Sequence, residues 1–284
     1  MKTGLIMEGG AMRGMFTAGA IDVLMEQGIT FDGAIGVSAG ACFGCNYKSR
    51  QIGRVIRYNT RFCRDKRYGG FRVLLKTGDY YSKDFCYGVI PTRYDVFDFD
   101  TYENNPMDFY IVCTDVDTGE AVYHRHENRL DHGFEWIRAS ASMPLVSRMV
   151  EIQGRRYLDG ALADSIPVRQ FEAMGYDRNL VILTQPLGYR KKQDILFPVM
   201  KHYYRKFPRL VEAMATRHIR YNDALDHIAA KEQAGEILVL RPPEKLPVRR
   251  TEKDPDKLRL AYEIGRDTAT ANLNQILAFL AAEK

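Results

Sequence analysis

Short apolar runs alternate along the chain with longer stretches in which apolar side chains recur every three or four positions. The short runs predict strands at 4–7, 33–37, 108–113, 180–184 and 237–240, with shorter ones at 120–123, 150–152 and 156–158. Gln153-Gly154, between the last two, is a turn pair and predicts a hairpin. The helical period predicts helices over 15–27, 39–47, 51–64, 134–141, 168–174, 195–215, 219–233 and 255–282. Strands and helices in alternation predict an α/β fold of three layers, α/β/α, with a mostly parallel central sheet. Residues 241–254, with three prolines and many charges, read as a surface loop before the last helix. Leu196, Met200, Tyr203, Phe207, Val211 and Met214 form a stripe with Lys201, Arg205, Lys206 and Arg209 around it. The stripe reads as a face turned to the core, with a membrane surface as the alternative.

Composition narrows the class without naming a function. The chain has 284 residues, 45% hydrophobic and 27% charged, as expected of a globular enzyme. One unit over 1–284 is expected, with a motif-bearing core over about 4–185 and a helical elaboration over about 190–284. The net charge of +5 is small, and the basic stretches 54–72 and 191–220 read as solvated faces rather than a nucleic-acid surface. The five cysteines form no even framework and no zinc pattern, so free thiols in a reducing compartment are expected. Cys42 and Cys45 make a C-x-x-C that reads as helix packing rather than redox chemistry. The apolar run near the N-terminus is shorter than the roughly 7–15 residues of a signal peptide. No stretch approaches the roughly 18 apolar residues of a spanning helix. A cytoplasmic location is expected, with any membrane contact peripheral.

Candidate chemistry sits in three glycine-bearing motifs. Gly36-Val37-Ser38-Ala39-Gly40 follows the run at 33–37 and opens a helix. A nucleophile on such a turn needs small neighbours where the backbone doubles back, and the helix N-terminus favours developing negative charge. In isolation Ser38 reads equally well as a helix cap. Glu8-Gly9-Gly10-Ala11-Met12-Arg13-Gly14 follows the first strand and lets main-chain N–H groups approach an anion, as in an oxyanion hole or a phosphate cradle. Gly9, Ala11 and Gly14 also fit a dinucleotide fingerprint with alanine in its second slot, and Asp32 lies near the spacing of a ribose-binding acid. Asp32, however, precedes the Ser38 strand instead of ending it. Asp159-Gly160-Ala161 follows the strand at 156–158 and alone is only a turn. A serine nucleophile needs a base; His202, His218 and His227 follow in the usual hydrolase order but fall on predicted helices. His124, His126 and His132 precede Asp159, without a third ligand at metal spacing.

In this order and spacing, Gly9 to Gly14, Gly36 to Gly40 and Asp159 to Ala161 resemble the three motifs of the patatin-like phospholipases. Ala139-Ser140-Ala141-Ser142-Met143-Pro144 resembles the stretch before that family's Asp motif, and the likeness covers about 4–185. The resemblance implies a dyad in which Ser38 attacks an ester carbonyl and Asp159 takes its proton. It also implies an oxyanion hole from Gly9, Gly10 and Ala11, with Arg13, Gly14, Gly36, Gly40 and Gly160 as supporting positions. Many members carry a third glycine where this chain has Ala11, which keeps its N–H donor. The expected reaction is lipid ester hydrolysis of phospholipase A type through an acyl-enzyme, with no metal or organic cofactor. Short-chain ester or thioester hydrolysis and a catalytically weak anionic-lipid binder are the alternatives. Leu158, Ala161, Leu162 and Met143 are expected to wall Asp159 and raise its basicity. Arg13 is expected to anchor its loop through an ion pair, with attraction of a phosphate-bearing head group as the other reading. Tyr80, Tyr81, Phe85 and Tyr87 line an acyl pocket or fill the core.

Overall fold

A computed structural model describes residues 1–281. In chain order the strands and helices are β1 Lys2–Met7, α1 Gly14–Glu26, β2 Gly33–Val37, α2 Ala39–Lys48, α3 Arg54–Phe62, α4 Phe71–Thr77, α5 Phe99–Asn104, β3 Asp108–Asp115 and β4 Ala121–Arg125. They continue with α6 Glu135–Ser140, β5 Val150–Ile152, β6 Arg155–Asp159, α7 Val168–Ala173, β7 Tyr176–Ile182, α8 Phe197–Tyr203, α9 Pro208–Gln233, β8 Ile237–Leu240, α10 Pro255–Ala271 and α11 Leu273–Ala281. Among the described residues eight strands form one sheet, ordered β5-β6-β3-β2-β1-β7-β8, with β4 also on β3. β3, β2, β1, β7 and β8 run parallel, while β4 and β6 pair antiparallel with β3.

Side chains alternate between two cores because successive strand residues point to opposite faces. Leu5, Met7, Ala34, Leu180 and Ile182 join Phe16 and Leu258 on one face. Ile6, Ile35, Val37 and Val181 join Phe171, Tyr221 and Ile228 on the other. The result is the α/β/α layering expected, with strands buried on both faces as parallel sheets require. The Gln153-Gly154 hairpin forms, both residues having positive φ (52° and 74°) as a tight two-residue turn demands.

Two features of the sheet place the site. β4 covers one edge of β3 from Tyr110 to Thr114, and β2 covers the other only as far as the Val37–Val112 pair. β6 then takes over the edge that β2 leaves, beginning at the Asp159–Cys113 pair. The end of β2 and the end of β6 therefore meet on one edge of β3.

Segmentation of the C-terminal helices differs from expectation. The predicted helices 195–215 and 219–233 are α8 and a long α9 that begins at Pro208. Proline suits a first helical turn and forces the residue before it out of the helical region; Phe207 has φ −122° and ψ 71°. The predicted helix 255–282 breaks at Asn272, and residue 282 lies outside the described residues. The apolar stripe mostly faces inward: Met200 and Met214 are buried, Phe207 and Val211 are half-buried, and Leu196 and Tyr203 are exposed. α4, α5 and a π-helical segment Asp84–Tyr94 are further elements that the periodicity did not reveal.

α10 crosses α1 at backbone contact. A Cβ at Gly19 would stand 2.0 Å from the Tyr262 carbonyl oxygen, and one at Gly265 2.0 Å from that of Phe16.

Candidate active site

Ser38 sits between β2 and α2 with φ 55° and ψ −119°, a conformation costing a non-glycine residue about 1–3 kcal/mol. The flanking glycines make the turn possible. A Cβ at Gly36 would lie 2.5 Å from the Gly40 carbonyl oxygen, and one at Gly40 2.3 Å from that of Met7. Ser140 pins the strained backbone: its Oγ accepts the Ser38 N–H at 2.8 Å and donates to the Val112 carbonyl at 2.6 Å.

Asp159 arrives from the end of β6. Ser38 Oγ donates to Asp159 Oδ2 at 2.7 Å, and the Ala161 N–H donates to Oδ1 at 2.8 Å. Both residues are buried, at 5% and 4% exposure. Burial raises the Asp159 carboxyl above its ordinary 3.8, against the opposing pull of the Arg217 cation, the Ala161 N–H and the Ser38 hydroxyl. Ala161, Leu162 and Met143 line the cavity at Asp159 as expected, but Leu158 turns into a separate core cluster instead.

The glycine-rich turn lies against Ser38, since a Cβ at Gly9 would stand 3.0 Å from Ser38 Cβ. Among the described residues the N–H groups of Gly9, Gly10 and Ala11 have no acceptor. Ala11 itself has φ 49°. Glu8 holds the turn from below: its carboxylate accepts the Thr184 N–H and the Tyr221 hydroxyl, each at 2.6 Å. Gly14 packs on Ala39 and Phe43, and Gly160 on the Val112 carbonyl. The Arg13 side chain forms no ion pair or hydrogen bond among the described residues, and its Nε is buried without a partner. The expected anchoring contact of Arg13 is therefore absent, and Glu8 ties the loop down in its stead.

Ser38, Ala11 and Met143 are shared by two cavities. One, of about 110 Å³, is lined by apolar and aromatic groups including Phe43, Tyr81, Tyr87 and Ile137. Tyr81 and Tyr87 of the aromatic cluster thus face it, whereas Tyr80 and Phe85 are buried outside it. The other, of about 260 Å³, holds Asp159 together with Arg13, Lys191, Arg217, Tyr221 and Arg250.

Competing sites fail on geometry. No histidine lines either cavity; His227 pairs with Glu172 at 2.8 Å, and His124 stacks on Trp136. Asp32 accepts the Thr3 N–H at 2.7 Å at the opposite end of the sheet from Ser38, away from the glycine-rich turn. Burial pushes the Cys42 and Cys45 thiols up to about 12, which disfavours thiolate chemistry. Among the described residues no group of three His, Cys, Asp or Glu is arranged to hold a metal ion, and no helix is long and apolar enough to cross a membrane.

With this geometry in view, the family profile described as Patatin-like phospholipase matches residues 5–172, more than half of the chain. The chain belongs to the patatin-like phospholipase family. A second profile, a domain of unknown function (DUF6363), matches residues 207–281. Among curated relatives, the uncharacterized protein YjjU of Escherichia coli (strain K12) is 28% identical over 202 residues, covering 65% of this chain and 52% of that one. Lysophospholipase nte1 of Emericella nidulans is 26% identical over 265 residues, covering 84% of this chain and 16% of that one. The chain thus spans about half of the first and a small part of the second. A crystal structure of VipD from Legionella pneumophila aligns over 96% of this chain and 67% of its own, at 12% identity and a TM-score of 0.44.

The patatin-matched segment carries Ser38, Asp159 and the glycine-rich turn, while the segment at 207–281 brings Arg217, Tyr221 and Arg250 to the same cavity. Sequence reasoning did not single out Glu8, Lys191, Arg217, Tyr221 or Arg250 as site residues. The last four have no local motif, and only tertiary packing brings them in.

Proposed function

We propose that this patatin-like protein hydrolyses acyl esters of lipids with Ser38 as nucleophile and Asp159 as base. The reading is supported above all by the 2.7 Å hydrogen bond from Ser38 Oγ to a buried Asp159 whose basicity burial has raised. Asp159 takes the hydroxyl proton as Ser38 Oγ bonds to the carbonyl carbon. Negative charge then develops on the carbonyl oxygen beside the free N–H groups of Gly9, Gly10 and Ala11. Collapse breaks the ester C–O bond, and the alcohol leaves with the proton from Asp159. Water next gives a proton to Asp159 while its oxygen bonds to the acyl carbon; the acid departs and Ser38 Oγ recovers the proton.

The same reading takes residues 1–284 as one folding unit acting in the cytoplasm, meeting lipid peripherally. Hydrolysis of a phospholipid by wild type and by Ser38→Ala tests the reading: fatty acid release is expected from wild type and lost in the variant, and equal release from both would refute it.

One observation favours shorter acyl groups as a second reading. The apolar cavity of about 110 Å³ is smaller than the roughly 150 Å³ that accommodates one benzene. An ester series from acetyl to palmitoyl separates the two, since a maximum at the short end would assign a short-chain esterase.

A further inference from the structure

The second cavity lies where the sheet reverses its winding. The connection after β1 leads to α1 on one face, and the connection after β7 leads, through α8, to α9 on the other. The loops diverge at the carboxyl ends of β1 and β7, and a crevice at such a point is where open α/β sheets bind ligands. Here the crevice runs directly into Ser38.

Beside apolar groups such as Met143, Leu145, Leu196 and Met200, its lining carries four cationic groups without acceptors. Arg13, Arg217 and Arg250 donate no side-chain hydrogen bond and make no ion pair among the described residues, and the Nε atoms of Arg13 and Arg217 are buried. Lys191 Nζ has only the Tyr221 ring, 4.9 Å away. The three carboxylates that share the cavity are already engaged: Glu8 by Thr184 and Tyr221, Asp159 by Ser38 and Ala161, and Asp194 by the Leu196 N–H. Buried guanidinium N–H groups left unmatched are costly unless an oxyanion completes them, and planar guanidinium forks suit phosphate.

We propose that Arg13, Lys191, Arg217 and Arg250 form a subsite for a phosphate group carried on the alcohol side of the scissile ester. The inference rests on the hydrolase reading and deepens it: the acyl group enters the apolar cavity and the phosphate the basic one, with Ser38 between them. It also gives the segment at 207–281 a task, because Arg217 and Arg250 both come from it. Desolvation, with Arg217 and Arg250 adding to it, holds the Lys191 ammonium down to about 7. Facing Glu8, Arg13, Asp194, Arg217, Tyr221 and Arg250, Lys191 therefore takes up protons when phosphate binds near neutral pH.

Two measurements test the subsite. Calorimetric titration of inorganic phosphate into wild type should show binding with proton uptake, weakened at least about tenfold in Arg217→Gln and Arg250→Gln and less in Arg217→Lys. Comparing kcat/KM for an acylglycerol phosphate and for the neutral acylglycerol of the same chain should show a preference of at least about tenfold for the phosphate ester, mostly in KM, that collapses toward one in the same variants. Hydrolysis of both esters at equal kcat/KM, without phosphate binding, would overturn the subsite and leave the hydrolase standing. Phosphate binding without ester preference would assign the cavity to a free anion and overturn the substrate half of the proposal. If neither ester is cleaved and Ser38 resists fluorophosphonate, the hydrolase reading and with it the substrate assignment fall, a result the phosphate titration distinguishes from loss of the anion site.

Discussion

Residues 5–172 bring Ser38, Asp159 and the glycine-rich turn to the site from strand ends, whereas residues 207–281 bring Arg217, Tyr221 and Arg250 from a long helix and a loop. In the first segment position follows from local covalent geometry. Ser38 is where it is because Gly36 and Gly40 admit the turn, and Asp159 because β6 takes up the β3 edge at the point where β2 stops. In the second segment position follows from docking. α10 lies on α1 with glycines at the crossing, the Tyr262 hydroxyl donates to Asp22 at 2.7 Å, and Arg266 pairs with Glu26 at 2.8 Å. The difference suggests that the reacting groups depend on the first segment and their recognition surroundings on how well the second is seated.

Asp159, in the first segment, carries the largest expected effect. Asp159→Asn should lower kcat for ester hydrolysis by about 10³-fold or more. The same change should raise Tm near neutral pH. A carboxyl whose folded pKa is raised favours the fold while protonated, and that contribution is lost as pH rises through the folded value, so the ionised form burdens the native state. The acid limb of the wild-type kcat/KM profile should accordingly inflect above 3.8, the ordinary aspartate value. A variant with lower Tm and full activity would reverse this picture.

Seating of the second segment is tested by Gly265→Val, whose Cβ would fall 2.0 Å from the Phe16 carbonyl oxygen. It should cost about 3 kcal/mol or more in denaturant unfolding. If 207–281 unfolds on its own while 5–172 keeps its transition, the two are not one cooperative unit.

These two tests also mark what could be read before the structure. The three motifs, the alternation of strand and helix and the hairpin at Gln153-Gly154 are local, because steric demands at a turn and strand periodicity leave residues at fixed spacing. Arg217 and Lys191 sit in segments that read as ordinary basic stretches, and only the divergence of chain after β1 and β7 turns them toward Ser38. Arg13 shows the same limit from the other side, since its place in the motif was plain but its lack of a partner depends on residues far along the chain. Pro208 was a missed local signal, overridden by an apolar stripe that ran through it.

A smaller effect belongs to Asp22 at the α1–α10 contact. Burial, outweighing hydrogen bonds from Tyr262 and Gly53, raises its carboxyl to about 6. The stabilisation of its protonated form is full below 3.8 and lost as pH rises through about 6. Asp22→Asn should therefore stabilise the protein by up to about 3 kcal/mol at pH values above 6, with the gain vanishing below 3.8, as thermal unfolding across pH would register. Ser140→Ala should cost about 1–3 kcal/mol by stranding the Ser38 N–H and the Val112 carbonyl, together with a loss of kcat that exceeds any change in KM. An unchanged kcat would show that Ser38 keeps its geometry without this support.

The most direct test of the Ser38–Asp159 assignment is fluorophosphonate labelling with mass-spectrometric site mapping on wild type, Ser38→Ala and Asp159→Asn. Label is expected on Ser38 in wild type, none in Ser38→Ala, and labelling slowed by about 10³-fold in Asp159→Asn. Label on another residue, or an undiminished rate in Asp159→Asn, would contradict the assignment.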